Sequence, residues 1–308
     1  MELSLFDLHC DTAYEMLTKR QPLLRNSLAV SLENARKFKH YIQVMAHWTD
    51  YSLSDEEGWT QCLAMLKNLQ RDPAIVCGEA TVATTVLNTP PSPTLLLAVE
   101  DARILNGQID RVDTLFQHGF RILTPLWNGS TCIGGSHNTE EGLTPFGKAA
   151  LTRAVELGMI LDISHASERS AEEIFDISSK KNRPVIASHS NAYQICPVSR
   201  NLRDGQIESI LRSNGVIGIN LYRRFLCEKG KASAKDVLPQ IEYFLEKGAE
   251  NALCICGDMD GADLPDDIPD LSALPILAEL MLRHNYSEEL VHKIFYQNAF
   301  DFATKYLF

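Results

Sequence analysis

Eight short apolar runs recur along the chain, each bounded by polar residues, glycine or proline. Several of them are apolar almost throughout, which is the pattern of parallel strands that are covered on both faces. Segments with helical character separate the runs, so the pattern predicts repeated units of one strand and one helix. The predicted strands are residues 4–9, 41–48, 94–100, 120–126, 159–165, 184–190, 215–221 and 253–258.

This alternation predicts an α/β fold, namely a (β/α)8 barrel of the TIM type. The chain of 308 residues has the length of one such barrel, and no repeat, low-complexity tract or linker divides it. We therefore expect residues 1–308 to form a single domain. Residues 128–143 form a long loop with four glycines, and loops of this length in a compact domain are usually functional. In such barrels the active site lies where the strands end, so reactive side chains should gather there.

Two candidate helix caps support the predicted alternation of strands and helices. Ser167 is suited to cap a helix over 168–175, and Ser287 is suited to open a last helix that runs toward Tyr306. The predicted barrel therefore ends on a helix, as a repeat of strand and helix units requires.

Composition and charge narrow the function. The formal net charge of -11 argues against a nucleic-acid partner, which would need clustered lysine and arginine, and favours a small polar substrate. No apolar run reaches the roughly 18–20 residues of a membrane span, and the N-terminus has no signal-like pattern, so we expect a soluble cytoplasmic protein without a membrane partner. The eight cysteines are dispersed without a CxxC pair and are expected to be free thiols, with Cys254 and Cys256 in the core.

Acidic and imidazole side chains gather at the predicted strand ends. A single histidine there is more often structural than functional, and His47 also ends strand two. Three histidines, two aspartates and a glutamate at one rim are different, because such a buried cluster needs a compensating cation. These residues are His9 and Asp11 at strand one, Glu100 at strand three, His165 at strand five, His189 at strand six and Asp258 at strand eight.

Neutral imidazoles and carboxylates suit zinc, with manganese, iron or cobalt as substitutes. Five ligands exceed the number that one open catalytic zinc takes from protein. Two divalent metal ions that share one carboxylate would account for all five. We expect Glu100 to bridge two metals about 3.5–4 Å apart, which could hold a bridging hydroxide. His9 and Asp11 would complete one site, and His165 and His189 the other. Asp258 is left over, either as a general base or as a sixth ligand or capping residue.

The order of several sequence blocks resembles the membrane (renal-type) dipeptidases, a branch of the amidohydrolase-like barrels. The blocks are FDLHCDT, AVEDA, LTPFGKAALTRAVELGMILDISHAS, PVIASHSNAYQICPVSRNLRD and GDMDG, and together they span nearly the whole chain. The resemblance implies a binuclear zinc dipeptidase on a TIM-type barrel that acts on short peptides. In some members the substrates are β-lactams or peptides with a D-residue at the carboxyl end. A homodimer is plausible by resemblance alone.

Carried over residue by residue, the resemblance implies the same site. Its substrate-binding arginine falls on Arg200, and a planar guanidinium is suited to bind the terminal carboxylate of a peptide. Tyr222, just past strand seven, is expected to line the pocket. The implied metal ligands are His9 and Asp11, the bridging Glu100, and His165 with His189, and the implied acid/base is Asp258.

One position departs from the family. Mammalian-type members carry a histidine after strand four, within an LTH motif, that contacts the substrate or its transition state. This chain reads LTPLWNGS, and Pro125 occupies the nearest matching place. We expect Trp127 or Asn128 to fill the space, with Asn128 donating its amide to a developing oxyanion.

The resulting expectation is a metal-dependent dipeptidase. The scissile carbonyl of the dipeptide would lie against the metals, its carboxylate near Arg200 and its amino group near acidic groups at the rim. Two alternatives are another amidohydrolase-type enzyme that cleaves cyclic amides, lactones or N-acyl amino acids, and a non-enzymatic barrel that keeps the pocket as a binding module.

Overall fold

Eight parallel strands form a nearly closed barrel. The computed structural model describes residues 2–84, 93–227 and 231–307. Around the barrel the strands follow the order β7, β6, β5, β4, β2, β1, β9, β8, and β3 pairs with β4 outside this path. A parallel bridge between Ala187 and Ile217 joins the two ends. The strands are β1 (Leu5–Cys10), β2 (Tyr41–Trp48), β3 (Thr81–Val82), β4 (Thr94–Glu100), β5 (Phe120–Thr124), β6 (Ile160–Asp162), β7 (Val185–Ile186), β8 (Ile217–Asn220) and β9 (Leu253–Cys256).

Helices follow the strands and cover the barrel. Within the described residues, 3-10 turns lie at Ala102–Leu105, Ala234–Val237, Ala249–Asn251 and Leu271–Ala273. The α-helices are α1 (Thr12–Lys19), α2 (Leu32–Ala35), α3 (Asp55–Gln70), α4 (Pro73–Val76), α5 (Asp110–Gln117), α6 (Pro145–Leu157), α7 (Glu168–Ser179), α8 (Asp204–Arg212), α9 (Arg223–Leu226), α10 (Leu238–Glu246), α11 (Pro275–Arg283), α12 (Glu288–His292) and α13 (Asn298–Tyr306). In the described ranges no helix has both the length and the apolar character that a membrane crossing requires.

The two faces of the sheet pack differently, and this places the site. Leu96 and Ala98 lie two residues apart on β4 and belong to a buried cluster that also contains Phe6 and Ile42. The larger buried cluster joins the other face of the sheet to the surrounding helices. The smaller cluster therefore fills the barrel, and Glu100, two residues after Ala98, points to the same inner face.

The barrel prediction is confirmed, and the strand bounds differ only at the ends. β2 and β4 have the predicted bounds, whereas β6 and β7 are much shorter than predicted. His165 and His189 each lie three residues past their strand, and Asp258 lies two residues past β9. The apolar runs continue past the last residues of β6 and β7 because Ile163 and Ala187 are also buried, so burial extends further than the two strands.

The predicted helix caps are present. Oγ of Ser167 accepts a hydrogen bond from the backbone N of Ser170, and α7 continues to Ser179, four residues further than predicted. Ser287 caps α12, and the predicted last helix is three joined segments with a π-helical turn over Lys293–Gln297. All eight cysteines are free thiols, and Cys254 and Cys256 are buried on β9 as predicted.

Candidate metal centre and substrate cleft

Glu100 ends β4 and lies at the centre of the cluster. Its Oε2 is 3.4 Å from Nε2 of His9. Its Oε1 is 3.0 Å from Nε2 of His165 and 3.3 Å from Nε2 of His189. Burial alone would raise the pKa of this carboxyl, but the contacts with the three histidines outweigh burial and lower its pKa well below the usual value. Glu100 is therefore ionised, with one oxygen toward His9 and the other toward the remaining two imidazoles.

His9 and Asp11 lie on one side of Glu100. They converge although only His9 belongs to β1, because Asp11 follows the last strand residue and precedes α1. Nε2 of His9 is 3.6 Å from Oδ2 of Asp11 and 4.0 Å from Oδ1 of Asp258. Burial raises the pKa of Asp11 to about 7. Burial would lower the pKa of His9, but the carboxylates of Glu100 and Asp11 outweigh it and raise that pKa well above its usual value.

His165 and His189 lie on the other side, and their hydrogen bonds decide which ring nitrogen carries the proton. Nδ1 of His165 is 2.9 Å from the carbonyl oxygen of Trp127, which only accepts, so Nδ1 carries the proton. Nδ1 of His189 is 2.7 Å from Oγ of Ser188, whose hydroxyl donates to Asp162, so this Nδ1 also carries the proton. Both Nε2 atoms consequently present lone pairs, and they face each other at 3.0 Å.

This arrangement of lone pairs fits bound cations. Burial and then the positive charge of Arg200 lower the pKa of His165 to about 3, and burial lowers the pKa of His189 well below its usual value, so both imidazoles are neutral. Lone pairs on two ring nitrogens and a carboxylate oxygen repel one another unless a cation lies between them. Among the described residues, the buried Nε2 of His9 and Oδ1 of Asp11 also have no hydrogen-bond partner. The donor atoms on both sides of the central carboxylate are those that zinc and related metals take.

Asp258 and Arg200 flank this cluster. Asp258 has a left-handed backbone with φ of 48°, and its Oδ2 accepts a hydrogen bond of 2.8 Å from Nδ2 of Asn220. Arg200 is buried and donates to Oγ of Ser190 and to the carbonyl oxygen of His189, both at 3.2 Å. Its buried Nε donates to no other described residue. A desolvated guanidinium nitrogen without an acceptor is a suitable place for an anionic group of a ligand.

A cleft of about 590 Å³ opens onto the cluster. The three predicted substrate contacts, Arg200, Asn128 and Tyr222, all line it. The ring of Tyr222 packs edge-on against Phe225, and its backbone N donates to Oδ1 of Asn220. Trp127 lines the cleft beside Asn128, so both residues expected near the position of Pro125 reach the cleft. The other residues that line it are Asp11, Glu100, His137, His165, Phe225, Asp258, Asp260, Gly261, Ala262 and Asp263.

His47 shows why a strand-end histidine alone is ambiguous. It is fully buried on β2, where its ring packs edge-on against Phe120 at 4.9 Å between centroids. Its Nδ1 is 3.3 Å from the carbonyl oxygen of Met45, and burial lowers its pKa to about 4. His47 is thus a neutral core residue that does not belong to the cluster around Glu100.

Sequence reasoning did not single out several residues that shape the site. Asp162 ends β6 and accepts hydrogen bonds from Ser164, Ser188 and Thr124, which fixes the loops that carry His165 and His189. Its position at a strand end, like that of Asn220, is a signal that could have identified it. His137 lies in the long loop, where no periodic pattern marks it.

Comparisons with known proteins bear on the family and on the fold of this chain. A sequence model of the membrane dipeptidase family, peptidase family M19, matches residues 1–304. The chain belongs to the membrane dipeptidase family. Membership makes it a metal-dependent dipeptidase, a hydrolase that acts on small peptide substrates and binds divalent metal.

Structures of family members share the whole fold. The metallopeptidase dipeptidase AC, of family M19, superposes with a TM-score of 0.91 at 24% identity, over 100% of this chain and 99% of that chain. A metallopeptidase from Rhodobacter sphaeroides, liganded with a phosphinate mimic of the dipeptide L-Ala-D-Ala, superposes with a TM-score of 0.89 at 23% identity, over 100% of both chains. An uncharacterized protein in the pqqA 5′ region of Klebsiella pneumoniae is 29% identical over 212 residues, which is 65% of this chain and 77% of that one. At these identities the two structures establish the shared fold.

Proposed function

We propose that this family member holds two divalent cations on either side of Glu100 and hydrolyses dipeptides between them and Asp258. The observation that carries the proposal is the position of the Glu100 carboxylate, whose two oxygens face different ligand groups within 3.0–3.4 Å. His9 and Asp11 would complete one metal site, and His165 and His189 would complete the other. The ligand types favour zinc, with manganese, iron or cobalt as substitutes.

When bound, the two cations would supply a hydroxide nucleophile at neutral pH and polarise the scissile carbonyl. The chain itself orients the imidazole ligands through hydrogen bonds to the ring nitrogens that face away from the centre. The Trp127 carbonyl and the Ser188 hydroxyl hold the protons of His165 and His189 at Nδ1, away from the centre. Such contacts raise the basicity of the ligands and fix their rings.

Arg200 would orient the substrate. Its buried Nε has no acceptor among the described residues, so a terminal carboxylate of a dipeptide would complete its hydrogen bonds. Asn128 and Tyr222 lie on the walls of the same cleft, where Asn128 could donate its amide to the scissile carbonyl oxygen and Tyr222 could contact the substrate. We include dipeptides with a D-residue at the carboxyl end among the substrates, because the liganded Rhodobacter sphaeroides relative holds a mimic of L-Ala-D-Ala.

Asp258 would move the proton. Its Oδ1 is 4.0 Å from Nε2 of His9, farther than the oxygens of Glu100 at 3.4 Å and Asp11 at 3.6 Å, and its Oδ2 accepts a hydrogen bond from Asn220. Burial raises its pKa above the usual value, which suits a group that takes a proton from the attacking water and passes it to the leaving amine.

A substrate panel tests this function. Purified protein would be loaded with zinc or with manganese and assayed on dipeptides of defined stereochemistry, tripeptides, N-acyl amino acids and lactones. We expect hydrolysis of dipeptides, including some with a carboxyl-terminal D-residue, and no hydrolysis of tripeptides. Turnover of lactones or N-acyl amino acids without any dipeptide turnover would instead favour another amidohydrolase-type reaction.

Replacing Gly261 with alanine should disturb one metal site. A Cβ at this position would overlap Oδ2 of Asp11, the oxygen that lies 3.6 Å from Nε2 of His9, so the carboxylate must leave its present position. We expect one equivalent of tightly bound metal to be lost and kcat/KM to fall by about 10²-fold, the typical cost of misplacing a catalytic group by about 1 Å. Metal content and activity measure this, with Gly205→Ala as the control because its Cβ would meet open space. Two tightly bound metals and normal activity in the Gly261 variant would argue against Asp11 as a ligand.

Replacing Arg200 with methionine should weaken substrate binding. A hydrogen bond to a charged group contributes about 1.5–3 kcal/mol, so KM for dipeptides should rise by about 10- to 100-fold. The wild type should also prefer free dipeptides to dipeptide amides, and the variant should lose this preference. Arg203→Met is the matched control, since Arg203 lies nearby but pairs with Glu168. If the variant still discriminates against amides, the carboxylate binds elsewhere.

A further inference from the structure

A chain of three hydrogen-bonded side chains crosses the wall between the cleft and a second cavity of about 360 Å³. His137 lines both cavities, whereas Asn128 lines only the cleft and Ser199 only the second cavity. Nε2 of His137 is 2.9 Å from Oδ1 of Asn128, and Nδ1 is 2.9 Å from Oγ of Ser199. The imidazole therefore turns one nitrogen toward the cleft and the other away from it.

The direction of these hydrogen bonds follows from the atoms that face the ring. In a neutral imidazole one nitrogen donates and the other accepts. Asn128 presents its Oδ1 to Nε2, and an amide oxygen only accepts. Nε2 thus donates to Asn128, and Nδ1 accepts from the hydroxyl of Ser199.

The backbone holds His137 in register with the metal-ligand loop. Its backbone N donates to the carbonyl oxygen of His165 at 2.7 Å, and the preceding Ser136 forms a bridge with Ala166. The two imidazole rings lie 5.9 Å apart between centroids. The position of His137 is therefore tied to that of His165, although the two residues belong to different loops.

These contacts leave one group of Asn128 for the substrate. Because Oδ1 faces His137, the Nδ2 amide hydrogens point elsewhere, and no described residue accepts a hydrogen bond from them. Asn128 lines the cleft, and Pro125, three residues earlier, has no side-chain donor. An amide that is free to turn would present its oxygen as readily as its nitrogen, and an oxygen would repel the developing oxyanion.

We propose that His137 is a positioning residue that locks the amide of Asn128, so that Nδ2 donates to the oxygen of the scissile carbonyl as negative charge develops on it. Ser199 supports the ring from the second cavity. This inference rests on the proposed function and adds to it the residue that positions Asn128.

A double-mutant cycle tests the proposal on metal-loaded enzyme with a dipeptide substrate. Asn128→Ala should lower kcat by about 10²-fold or more, the usual cost of removing one oxyanion donor, with little change in KM. His137→Phe keeps a ring of similar size without the hydrogen bond and should lower kcat by about tenfold. If His137 acts through Asn128, the double variant should be no slower than Asn128→Ala alone. His137→Gln can still donate to Oδ1 and should recover part of the loss, and His284→Phe, on the exposed surface, is the control.

The remaining outcomes overturn the proposal. Losses that multiply in the double variant would show that His137 acts independently of Asn128. A His137→Phe variant with a lower melting temperature but an unchanged kcat per metal-loaded molecule would show a structural role only. Either result would leave dipeptide hydrolysis intact, whereas a wild-type enzyme that hydrolyses no dipeptide would contradict the proposed function itself.

Discussion

Glu100→Ala is expected to abolish tight binding of both cations at once. One oxygen of this carboxylate faces His9 and the other faces His165 and His189, so removing it takes a ligand from each proposed site. A cation held at either proposed site would stabilise the transition state by several kcal/mol, so kcat/KM should fall by at least about 10³-fold. Metal analysis of the purified variant and steady-state kinetics after reloading with zinc measure the two effects.

The control for this variant is His47→Gln. His47 is as buried as Glu100 and also lies near a strand end, but it contacts Phe120 and Met45 instead of the cluster. It should keep both cations and most of the activity even if its melting temperature falls. Loss of a single equivalent from Glu100→Ala, with the second still tightly bound, would mean that Glu100 serves one metal only.

Asp258→Asn is expected to lower kcat by about 10²- to 10⁴-fold while both cations remain bound, because proton transfer by a positioned group contributes that much. The substitution preserves the shape of the side chain, and the oxygen of the new amide can still accept from Nδ2 of Asn220. KM should change little, since the group acts on the proton and not on the ground-state substrate. Steady-state kinetics with parallel metal analysis distinguish a loss of proton transfer from a loss of bound metal or of substrate binding.

Asp263→Asn is the matched control for Asp258. It also lines the cleft, but it lies at the rim and pairs with Arg223, so its charge should matter little for proton transfer. Asp258 also lies within reach of His9 and Asp11, in a second group of possible ligands. If Asp258→Asn lost a cation, that loss would assign Asp258 to the metal site and leave the general base unidentified.

His137 and Asn128 lie side by side in the cleft, and this bears on the absence of the family histidine at Pro125. The family histidine is absent there, but the long loop brings the imidazole of His137 and the amide of Asn128 to the same cleft. The sequence predicts this role for Asn128, but it does not single out His137. Nothing in a glycine-rich loop indicates where its side chains point, because its path depends on bridges such as Gly134 to Leu143.

The sequence by itself determined the barrel and the chemical type of the site. Eight apolar runs with polar ends are sufficient to predict parallel strands, since a strand that is covered on both faces must be apolar throughout. The bounds of β2 and β4 follow directly from such runs. The residue types at the ends of the runs, imidazoles and carboxylates, indicate metal binding whatever their spacing in the chain.

Only the tertiary structure decided which of these side chains meet. His47 and His9 look alike in sequence, yet one packs in the core and the other faces Glu100, because the face of a strand to which a side chain points depends on register. His165 adopts a left-handed backbone with φ of 69° after β6 ends, and Asp162 fixes the loops around it. Such conformations depend on contacts between distant segments, and no local pattern encodes them.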